Sequence, residues 1–337
     1  MIVAVTGAAG YVGTNLATAL RDEGCAVRCI DLVRPAAALR HGAEWVRADV
    51  RDFAAMRAAM DGVDTVYHLA AVISVVGGLG GLVESVNVGG VRSVSRAALA
   101  AGVRRLVHCS SVHAFDLVAS VGRPVDENSA RSLRAALPDY DRSKASGELE
   151  LRRTADRGLD VVTVNPTGII GPVDEAPSRI GAVLLALWRR RLPSLTVGGF
   201  DWVDVRDVVA GLRAAADRGR TGECYLLPGY RLSVSELARL AGAAGNCRVT
   251  HRVVPAWSAR AVAPVGGVLA RLTRSHLLPT REALHALAAF PIVDGRKAAE
   301  ELGYRPRPVS DTLADLYDSY VERGLLPARR TPADEQR

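Results

Sequence analysis

A tyrosine and a lysine stand four residues apart in the segment Tyr140-Asp-Arg-Ser-Lys144. If this segment is helical, both side chains lie on one face of the helix. A phenol has an ordinary pKa of about 10 and exchanges protons poorly at neutral pH unless a nearby cation stabilises its phenolate. Lys144 can supply that charge, so the motif predicts a group that gives or takes a proton at a substrate oxygen. The alternative is a surface tyrosine beside an exposed lysine.

A pair of serines, Ser110-Ser111, directly follows the apolar run Arg105 to Cys109, which is predicted to be the fifth strand of a parallel sheet. Ligands of such sheets bind outside the carboxyl ends of the strands, so the Ser111 hydroxyl is expected to hydrogen-bond the same oxygen as Tyr140. His113 lies two residues further along and is a candidate substrate contact. A purely structural role is the equal alternative for this histidine.

Three glycines, Gly7, Gly10 and Gly13, are spaced by two residues between a short apolar strand, Ile2 to Val5, and a predicted helix, Tyr11 to Glu23. In a nucleotide-binding turn the first glycine allows a sharp turn, the second lets the backbone approach a pyrophosphate, and the third lets the helix pack close to the sheet. The unpaired N–H groups and the positive dipole end of the helix would face the phosphates. A glycine-rich turn without a ligand is the alternative.

An acid, Asp31, ends the second predicted strand, Ala26 to Ile30, and lies 18 residues after Gly13. Dinucleotide-binding folds place an acid about 20 residues after the glycines, where it binds the adenosine ribose hydroxyls. A carboxylate there favours NAD and repels the 2′-phosphate of NADP. Arg34 follows three residues later and could pair with such a phosphate, so NADP stays open as the second choice.

Short apolar runs alternate with helical stretches through the first half of the chain, which predicts a doubly wound parallel sheet of the α/β, or Rossmann, class. Residues 1–165 are predicted to form a dinucleotide-binding domain, residues 166–325 mainly a smaller substrate-binding lobe with elements that return to the sheet, and residues 326–337 a polar tail. Further strands are predicted at Trp45 to Arg47, Asp64 to Leu69, and Asp160 to Val164, and helices from Asp52 to Met60, Val83 to Ala101, and Tyr140 to Arg157.

The second half is predicted with shorter elements, because prolines and glycines interrupt it. Trp202 to Val209 is expected to return toward the main sheet, and Cys224 to Leu227 to add another strand. Helices are predicted at Ser233 to Ala244, Thr280 to Ala289, and Ser310 to Arg323.

The bulk composition is that of an ordinary globular protein of 337 residues, 49% of them hydrophobic. The net charge of +7 comes from scattered basic residues, which argues against a nucleic-acid surface. The five cysteines show no metal-ligand spacing, so reduced thiols and no metal site are expected. The chain begins with a core strand and has no run of about 18 apolar residues, so a cytoplasmic location without stable membrane insertion is expected. The apolar segment Ala256 to Leu272 is expected to be a core or pocket helix, with contact to a membrane surface as the alternative.

Taken together, these motifs resemble the extended short-chain dehydrogenase/reductase family, over about residues 1 to 325. The resemblance also draws on His68-Leu-Ala-Ala71, Asn87-Val-Gly89, Asn165-Pro-Thr-Gly168, Gly171-Pro172 and Val203-Asp-Val-Arg-Asp207. It implies a small-molecule substrate, the catalytic residues Ser111, Tyr140 and Lys144, and a homodimer formed through the helices after strands four and five. Lys144 would also orient the ribose of the cofactor.

The resemblance further implies a set of cofactor contacts. Tyr11 and Val12 would open the phosphate-facing helix, Asp49-Val50 would contact adenine, and Asn87 would support the cofactor from a neighbouring helix. The alternatives are that Asp49 caps the next helix and that Asn87 satisfies a buried backbone group. The remaining implied contacts are Leu69, Ala70 and Ala71 beneath the cofactor, and Asn165-Pro166 closing over the nicotinamide, with Asn165 also a candidate substrate contact.

One departure from the family pattern concerns Gly199-Phe200-Asp201, where sugar-nucleotide enzymes usually carry a basic residue that grips the diphosphate. An acid there would repel a diphosphate, which favours the dihydroflavonol-reductase and 3β-hydroxysteroid-dehydrogenase-like branch. The leading hypothesis is therefore an NAD(P)-dependent oxidoreductase that interconverts a secondary alcohol and a ketone. The alternatives are an NAD-dependent epimerase or dehydratase acting on a sugar nucleotide, and a non-catalytic dinucleotide-binding sensor.

Overall fold

A seven-stranded parallel sheet forms the centre of the computed structural model, which describes residues 1–35, 39, 42–174, 177–249, 252–255, 257 and 280–329. Its strands lie in the order β11 (Cys224–Leu227), β7 (Val161–Pro166), β5 (Arg105–Cys109), β4 (Thr65–His68), β1 (Ile2–Thr6), β2 (Ala26–Asp31) and β3 (Ala43–Arg47). The order reverses between β1 and β4, and such switch points are where α/β sheets bind ligands. The predicted doubly wound fold is confirmed.

Helices cover both faces of this sheet, because strands of a parallel sheet must bury both of their sides. On one face α1 (Tyr11–Asp22), α7 (Val205–Arg218) and α10 (Arg296–Leu302) pack together. On the other face α2 (Phe53–Ala59), α4 (Val91–Ala101) and α5 (Asp139–Ala155) lie side by side. Each face buries its own apolar cluster, and β4 and β7 are buried along their whole length.

The helix predicted from Val83 to Ala101 changes its geometry along its length. It consists of a short α-helical turn, α3 (Leu82–Glu84), a π-helical segment, Ser85–Gly90, and then α4. A side chain at Gly90 would meet the Val50 side chain at 2.9 Å, so this glycine lets the helix approach the loop after β3. The predicted helix end is confirmed, because Gly102 adopts the left-handed conformation that terminates α-helices.

A second lobe is built around a three-stranded sheet of β8 (Gly168–Ile170), β10 (Gly199–Asp204) and β12 (Tyr230–Ser233). The prediction that Trp202 to Val209 returns to the main sheet is wrong. β10 pairs with β8 and β12 instead, and α7 already begins at Val205, because β11 takes the edge position beside β7. The further strands are β6 (Pro124–Val125), β9 (Leu195–Thr196), β13 (Val253–Val254) and β14 (Ile292–Val293). The further α-helices are α6 (Arg179–Trp188), α8 (Val234–Ala244), α9 (Arg281–Ala289) and α11 (Val309–Glu322).

The start of the predicted polar tail packs against the second lobe. Leu326 is buried in an apolar cluster, and Arg329 pairs with Asp318 of α11 at 2.9 Å. The tail prediction is therefore wrong for residues 326–329, because an apolar anchor and an ion pair hold them. Residues 330–337 lie outside the described residues, as does the apolar segment 256–272 apart from position 257. Among the helices that are described, none has the length and apolar character needed to cross a bilayer.

Candidate functional site

The glycine turn after β1 has the geometry that the sequence predicts for its first glycine. Gly7 has a φ of +71°, and a side chain there would come within 2.7 Å of the Ala70 backbone nitrogen. A side chain at Gly13 would overlap the carbonyl oxygen of Gly7. The third glycine thus lets α1 pack against the turn itself as well as near the sheet. Any larger residue at Gly7 or Gly13 would push the start of α1 away from β1.

The same turn leaves room for an anion at the start of α1. The helix begins after Gly10, which has no side chain to cap the first turn. The first N–H groups of a helix lack intrahelical partners and attract phosphate. Asp31, at the end of β2, accepts hydrogen bonds from the backbone N–H of Ala9 at 3.0 Å and of Val33 at 3.1 Å. Its carboxylate is therefore fixed beside the glycine turn, so these residues fit a dinucleotide.

Other residues of the predicted cofactor surface hold neighbouring parts of the chain. The hydroxyl of Tyr11 donates to the carbonyl of Gly171 at 2.7 Å, and Val12 packs on the apolar cluster beneath α1. The backbone N–H groups of Leu69 and Ala70 donate to Thr6, which keeps the chain after β4 against the glycine turn. Ala71, the next residue, is half-buried.

The structure excludes the helix-capping role considered for Asp49, whereas it shows the backbone hydrogen bonds considered for Asn87. Asp49 does not cap α2, because Asp52 does so by accepting from the Ala55 N–H at 3.0 Å. Asp49 pairs instead with Arg51 at 2.6 Å, and this hydrogen bond lowers the pKa of its carboxyl. Asn87 exchanges two hydrogen bonds with the backbone of Val72 and donates a third to the Ser143 hydroxyl. Its side chain thus satisfies the buried backbone of Val72, which follows Leu69, Ala70 and Ala71, so its support of a cofactor would act through that segment.

Ser111 and Tyr140 come together at the carboxyl end of β5. Ser111 precedes a 3₁₀ turn, Val112–Ala114, and Tyr140 lies in the first turn of α5. Burial raises the pKa of the Tyr140 phenol, while a hydrogen bond with Ser111 lowers it. The charges of Asp141 and Cys109 raise it further. The phenol is therefore protonated at neutral pH in the ligand-free chain.

Lys144 follows one turn after Tyr140 and is buried. Its Nζ donates to the carbonyl oxygen of Cys109 at 3.2 Å, and burial lowers the pKa of its ammonium. The sequence assigned the stabilisation of the phenolate to this lysine. The group that lowers the pKa of Tyr140 is instead the Ser111 hydroxyl. The Lys144 ammonium is directed at the Cys109 carbonyl at the end of β5.

Asn165 and Pro166 end β7 immediately behind this pair. The Asn165 amide donates to the carbonyl of Ser111 at 3.0 Å and to Glu148 Oε1 at 2.7 Å. Glu148 was not singled out from the sequence. It lies four residues after Lys144 in α5, and this spacing on one helix face is the signal that could have revealed it.

Two buried histidines lie in neighbouring strands, and only His68 belongs to a motif singled out in the sequence, His68-Leu-Ala-Ala71. His68 ends β4 and His108 lies in β5, and their rings stack with centroids 5.2 Å apart. Thr6 Oγ1 is 2.7 Å from His68 Nδ1. Burial lowers the pKa of His68 to about 3 and that of His108 well below its usual value, so both imidazoles are neutral. The sequence offered no signal for His108 beyond its place in an apolar strand, and it did not predict what the His68 side chain contacts.

His113 stands between Tyr140 and the second lobe. Its ring meets the Tyr140 ring edge-on at 5.6 Å and stacks on Phe200 of β10 at 5.5 Å. The structure therefore brings together Ser111, His113, Tyr140, Lys144 and Asn165 as the sequence expected.

The position of Asp201 contradicts the prediction that its carboxylate would face a diphosphate. It is buried, and its Oδ1 accepts hydrogen bonds from Thr167 Oγ1 and from the Gly229 N–H, both at 2.6 Å. Burial raises the pKa of this carboxyl. Its role is to join β8, β10 and the turn after β11. The expectation that it would face and repel a diphosphate is therefore wrong, because its carboxylate is directed into the protein.

Comparison with known proteins identifies several relatives. The family model described as NAD dependent epimerase/dehydratase family matches residues 3–227. The chain is 33% identical over 331 residues, 97% of its length, to the whole of sterol demethylase protein B of Methylococcus capsulatus. It is 29% identical, over 90% of its length and 91% of the relative's, to a 4-hydroxy-2-methyl-3-oxo-4-farnesyl-3,4-dihydroquinoline-1-oxide ketoreductase of Stigmatella aurantiaca.

Among solved structures, a nucleoside-diphosphate-sugar epimerase from Pseudomonas aeruginosa is similar with a TM-score of 0.76 and 27% identity, covering 97% of this chain and 99% of that one. The expected enzyme class, NAD(P)-dependent and of the extended short-chain dehydrogenase/reductase type, is confirmed by these relatives. The fold, the glycine turn and the family match lead to one conclusion: the chain belongs to the NAD dependent epimerase/dehydratase family.

Proposed function

We propose that this chain interconverts a secondary alcohol and a ketone with a nicotinamide dinucleotide. The observation that carries the proposal is the position of the Ser111 hydroxyl, close enough to the Tyr140 phenol to lower its pKa, with buried Lys144 one helical turn away. The pair lies at the carboxyl end of β5, which is the ligand-binding edge of this sheet. Because the Tyr140 phenol and the Ser111 hydroxyl lie close together, both can hydrogen-bond a single substrate oxygen.

The proton chemistry follows from these three side chains. During oxidation Tyr140 takes the proton of the substrate hydroxyl, and during reduction it returns a proton to the ketone oxygen. Ser111 hydrogen-bonds the same oxygen and stabilises the charge that develops on it. Lys144 favours the phenolate once substrate and cofactor are bound, and it binds the ribose hydroxyls. When bound, the nicotinamide supplies or accepts the hydride at the substrate carbon.

NAD is the favoured cofactor, and NADP is the second choice. Asp31 is fixed by two backbone N–H groups at the end of β2, where a carboxylate meets the ribose hydroxyls of NAD. Arg34, the residue that could bind a 2′-phosphate, has its guanidinium 5.7 Å from the ring of Trp45. The residues proposed to hold the cofactor are Gly7, Gly10, Tyr11, Val12, Gly13, Asp31, Asp49, Val50, Leu69, Ala70, Ala71, Asn87, Tyr140, Lys144 and Pro166.

The relatives support a ketone or alcohol as the substrate, because one of them is named as a ketoreductase. His113 and Asn165 are proposed as further residues at the substrate. Residues 1–165 would hold the cofactor, and residues 166–325 would mainly supply the substrate lobe. We further propose a homodimer in the cytoplasm.

An epimerase or dehydratase acting on a sugar nucleotide is the second candidate. The buried position of Asp201 supports it, because the acid that argued against a diphosphate does not face a ligand. The Pseudomonas structure, described as a nucleoside-diphosphate-sugar epimerase, supports it as well. In that reaction the hydride returns to the substrate, so no net change in the nicotinamide is expected.

The test measures NADH formation with the alcohol pregnenolone, NADH consumption with the ketone dihydroquercetin, and conversion of UDP-glucose to an epimer or a dehydrated product with no net change in the nicotinamide. Tyr140→Phe should lower turnover at least a hundredfold while cofactor affinity stays nearly intact, because acid/base catalysis typically supplies about 10² to 10⁴ in rate. Tyr230→Phe, which removes an exposed hydroxyl on β12, is the matched control and should leave turnover unchanged. Turnover of Tyr140→Phe within a few-fold of the parent would show that the proton passes through another residue.

A further inference from the structure

His113 and Asp141 form a pair beside Tyr140 that the mechanism above does not use. His113 Nδ1 lies 3.0 Å from Asp141 Oδ1, and the two side chains are 20% and 9% exposed. The two atoms are at ion-pair distance but are not aligned as a hydrogen bond, and Nδ1 has no such partner among the described residues. Catalytic hydrogen bonds are often misaligned in a free enzyme and tighten when substrate binds.

Three contacts fix the imidazole at the reacting centre. The backbone N–H of His113 donates to Ser111 Oγ at 3.2 Å, and its ring lies edge-on against Tyr140. On the other side the ring stacks on Phe200 at an interplanar angle of 15°. Nδ1 is buried, whereas a fifth of the His113 side chain remains exposed.

We propose that His113 is a second catalytic residue, which moves a proton at the substrate carbon next to the carbonyl, and that Asp141 is its positioning residue. The inference rests on the proposed function, because it needs a ketone whose oxygen is held by Tyr140 and Ser111. A carboxylate at Nδ1 keeps the ring proton on that nitrogen and leaves Nε2 free to act as a base.

The proton transfer balances without an oxidant or reductant. The C–H bond next to the carbonyl breaks, and its proton goes to Nε2 of His113. The electron pair of that bond forms the carbon–carbon double bond of an enolate. The negative charge moves to the oxygen, where the Tyr140 and Ser111 hydroxyls stabilise it by hydrogen bonds. Return of a proton to the same carbon completes the exchange, and return to its other face inverts that carbon.

The separate roles of His113 at carbon and of Tyr140 and Ser111 at oxygen follow from the positions of these groups. The Ser111 hydroxyl lies near the Tyr140 phenol and lowers its pKa, and both groups are assigned to one oxygen. The His113 ring centre is 5.6 Å from that of Tyr140, so we assign Nε2 to the substrate atom next to the carbon whose oxygen Tyr140 and Ser111 hold. If His113 only packed against Phe200, its replacement would alter stability but not proton exchange at carbon.

The experiment measures deuterium incorporation next to the carbonyl of dihydrotestosterone and of phenylcyclohexanone, in D₂O without cofactor, by mass spectrometry. We expect the parent protein to catalyse exchange into at least one of the two ketones. His113→Gln should lower the exchange rate at least tenfold, and Asp141→Asn should lower it by a comparable factor. Asp61→Asn, which changes a side chain that is 87% exposed, should leave it unchanged. Thermal unfolding and NADH binding of each variant verify that the fold is intact.

A second measurement separates positioning from packing. Nitrogen-15 NMR of the histidines should show the His113 proton on Nδ1 in the parent, and Asp141→Asn should shift it toward Nε2. Exchange by His113→Gln within twofold of the parent, or no exchange by the parent with either ketone, would overturn the inference. Exchange that depends on His113, without NAD-dependent turnover of any candidate alcohol, would refute the proposed function and leave the role of His113 standing.

Discussion

At the scale of single residues, the site depends on burial more than on charge. Burial raises the pKa of Tyr140 and lowers that of Lys144, so in both groups it opposes the charged form. The Ser111 hydroxyl is the group that opposes this effect on the phenol. In the proposed reaction Tyr140 would therefore donate a proton from its protonated form, and its action as a base would require contacts with the bound substrate and cofactor.

Cofactor choice is a prediction at this scale, and it depends on Asp31. We expect the parent to bind NADH more tightly than NADPH, because the fixed carboxylate repels a 2′-phosphate. Asp31→Ala should narrow that preference by weakening NADH binding, with calorimetric titration of both cofactors as the measurement. Asp61→Asn is a suitable control, since its side chain is exposed. Tighter binding of NADPH by the parent would contradict the assignment.

At the scale of elements, the sequence predicted what local patterns determine. β5 and β11 have the predicted bounds, because each is a short apolar run with clear limits. The caps of α2 by Asp52 and of α9 by Thr280 also agree with the predicted helix starts. The separate sheet around β10 was missed, because strand pairing is a long-range choice that the sequence of one strand does not specify.

In the candidate site, too, local patterns were predicted and long-range contacts were not. The residues that face it were found from motifs with local spacing. The direction of Lys144 toward Cys109, the burial of Asp201 and the contact of Glu148 with Asn165 were not, because each joins elements that are distant in sequence. Prediction of these contacts would have required the packing of three separate strands and α5.

The buried histidines of β4 and β5 give a prediction about stability and pH. His68 and His108 stay neutral when folded but bind protons when unfolded below about pH 6.5, so the unfolded chain binds more protons there. The free energy of unfolding should therefore fall as the pH drops from about 6.5, by up to about 1.4 kcal/mol per pH unit for each histidine. For His68 this loss continues down to about pH 3.

Urea unfolding between pH 7 and pH 5 measures this effect, over a window set by the ordinary histidine pKa. The free energy of unfolding of His108→Gln should fall less steeply with decreasing pH than that of the parent, by up to about 1.4 kcal/mol per pH unit. An identical slope in the two proteins would mean that His108 becomes protonated within the folded chain.

At the scale of the whole molecule, the two halves are joined next to the cofactor turn. The Tyr11 hydroxyl donates to Gly171 at 2.7 Å, and the Asn15 amide contacts the carbonyl of Val173. The Gly77 N–H donates to Glu282 of α9 at 3.0 Å, which joins the loop after β4 to the second lobe. The substrate would therefore meet groups from both halves.

Assembly is the prediction at this scale. We expect a homodimer in which α4 and α5 form the contact, and Leu149 is an exposed apolar side chain on α5. Leu149→Glu should shift the protein toward monomer in sedimentation velocity, because a charge would be buried at the contact. The matched control, Val197→Glu, alters an exposed apolar residue of the second lobe and should leave the dimer intact. A parent that sediments as a monomer would refute the expected assembly.

The central claim is that Tyr140, Ser111 and Lys144 support net transfer of a hydride between a nicotinamide and a substrate carbon. The most direct test supplies NADH deuterated at the hydride-donating position together with the ketone of whichever alcohol is turned over. We expect one deuterium on the carbinol carbon of the product and an equal amount of oxidised cofactor, with both lost in Tyr140→Phe. An isomerised product with no deuterium gained and no cofactor consumed would contradict it.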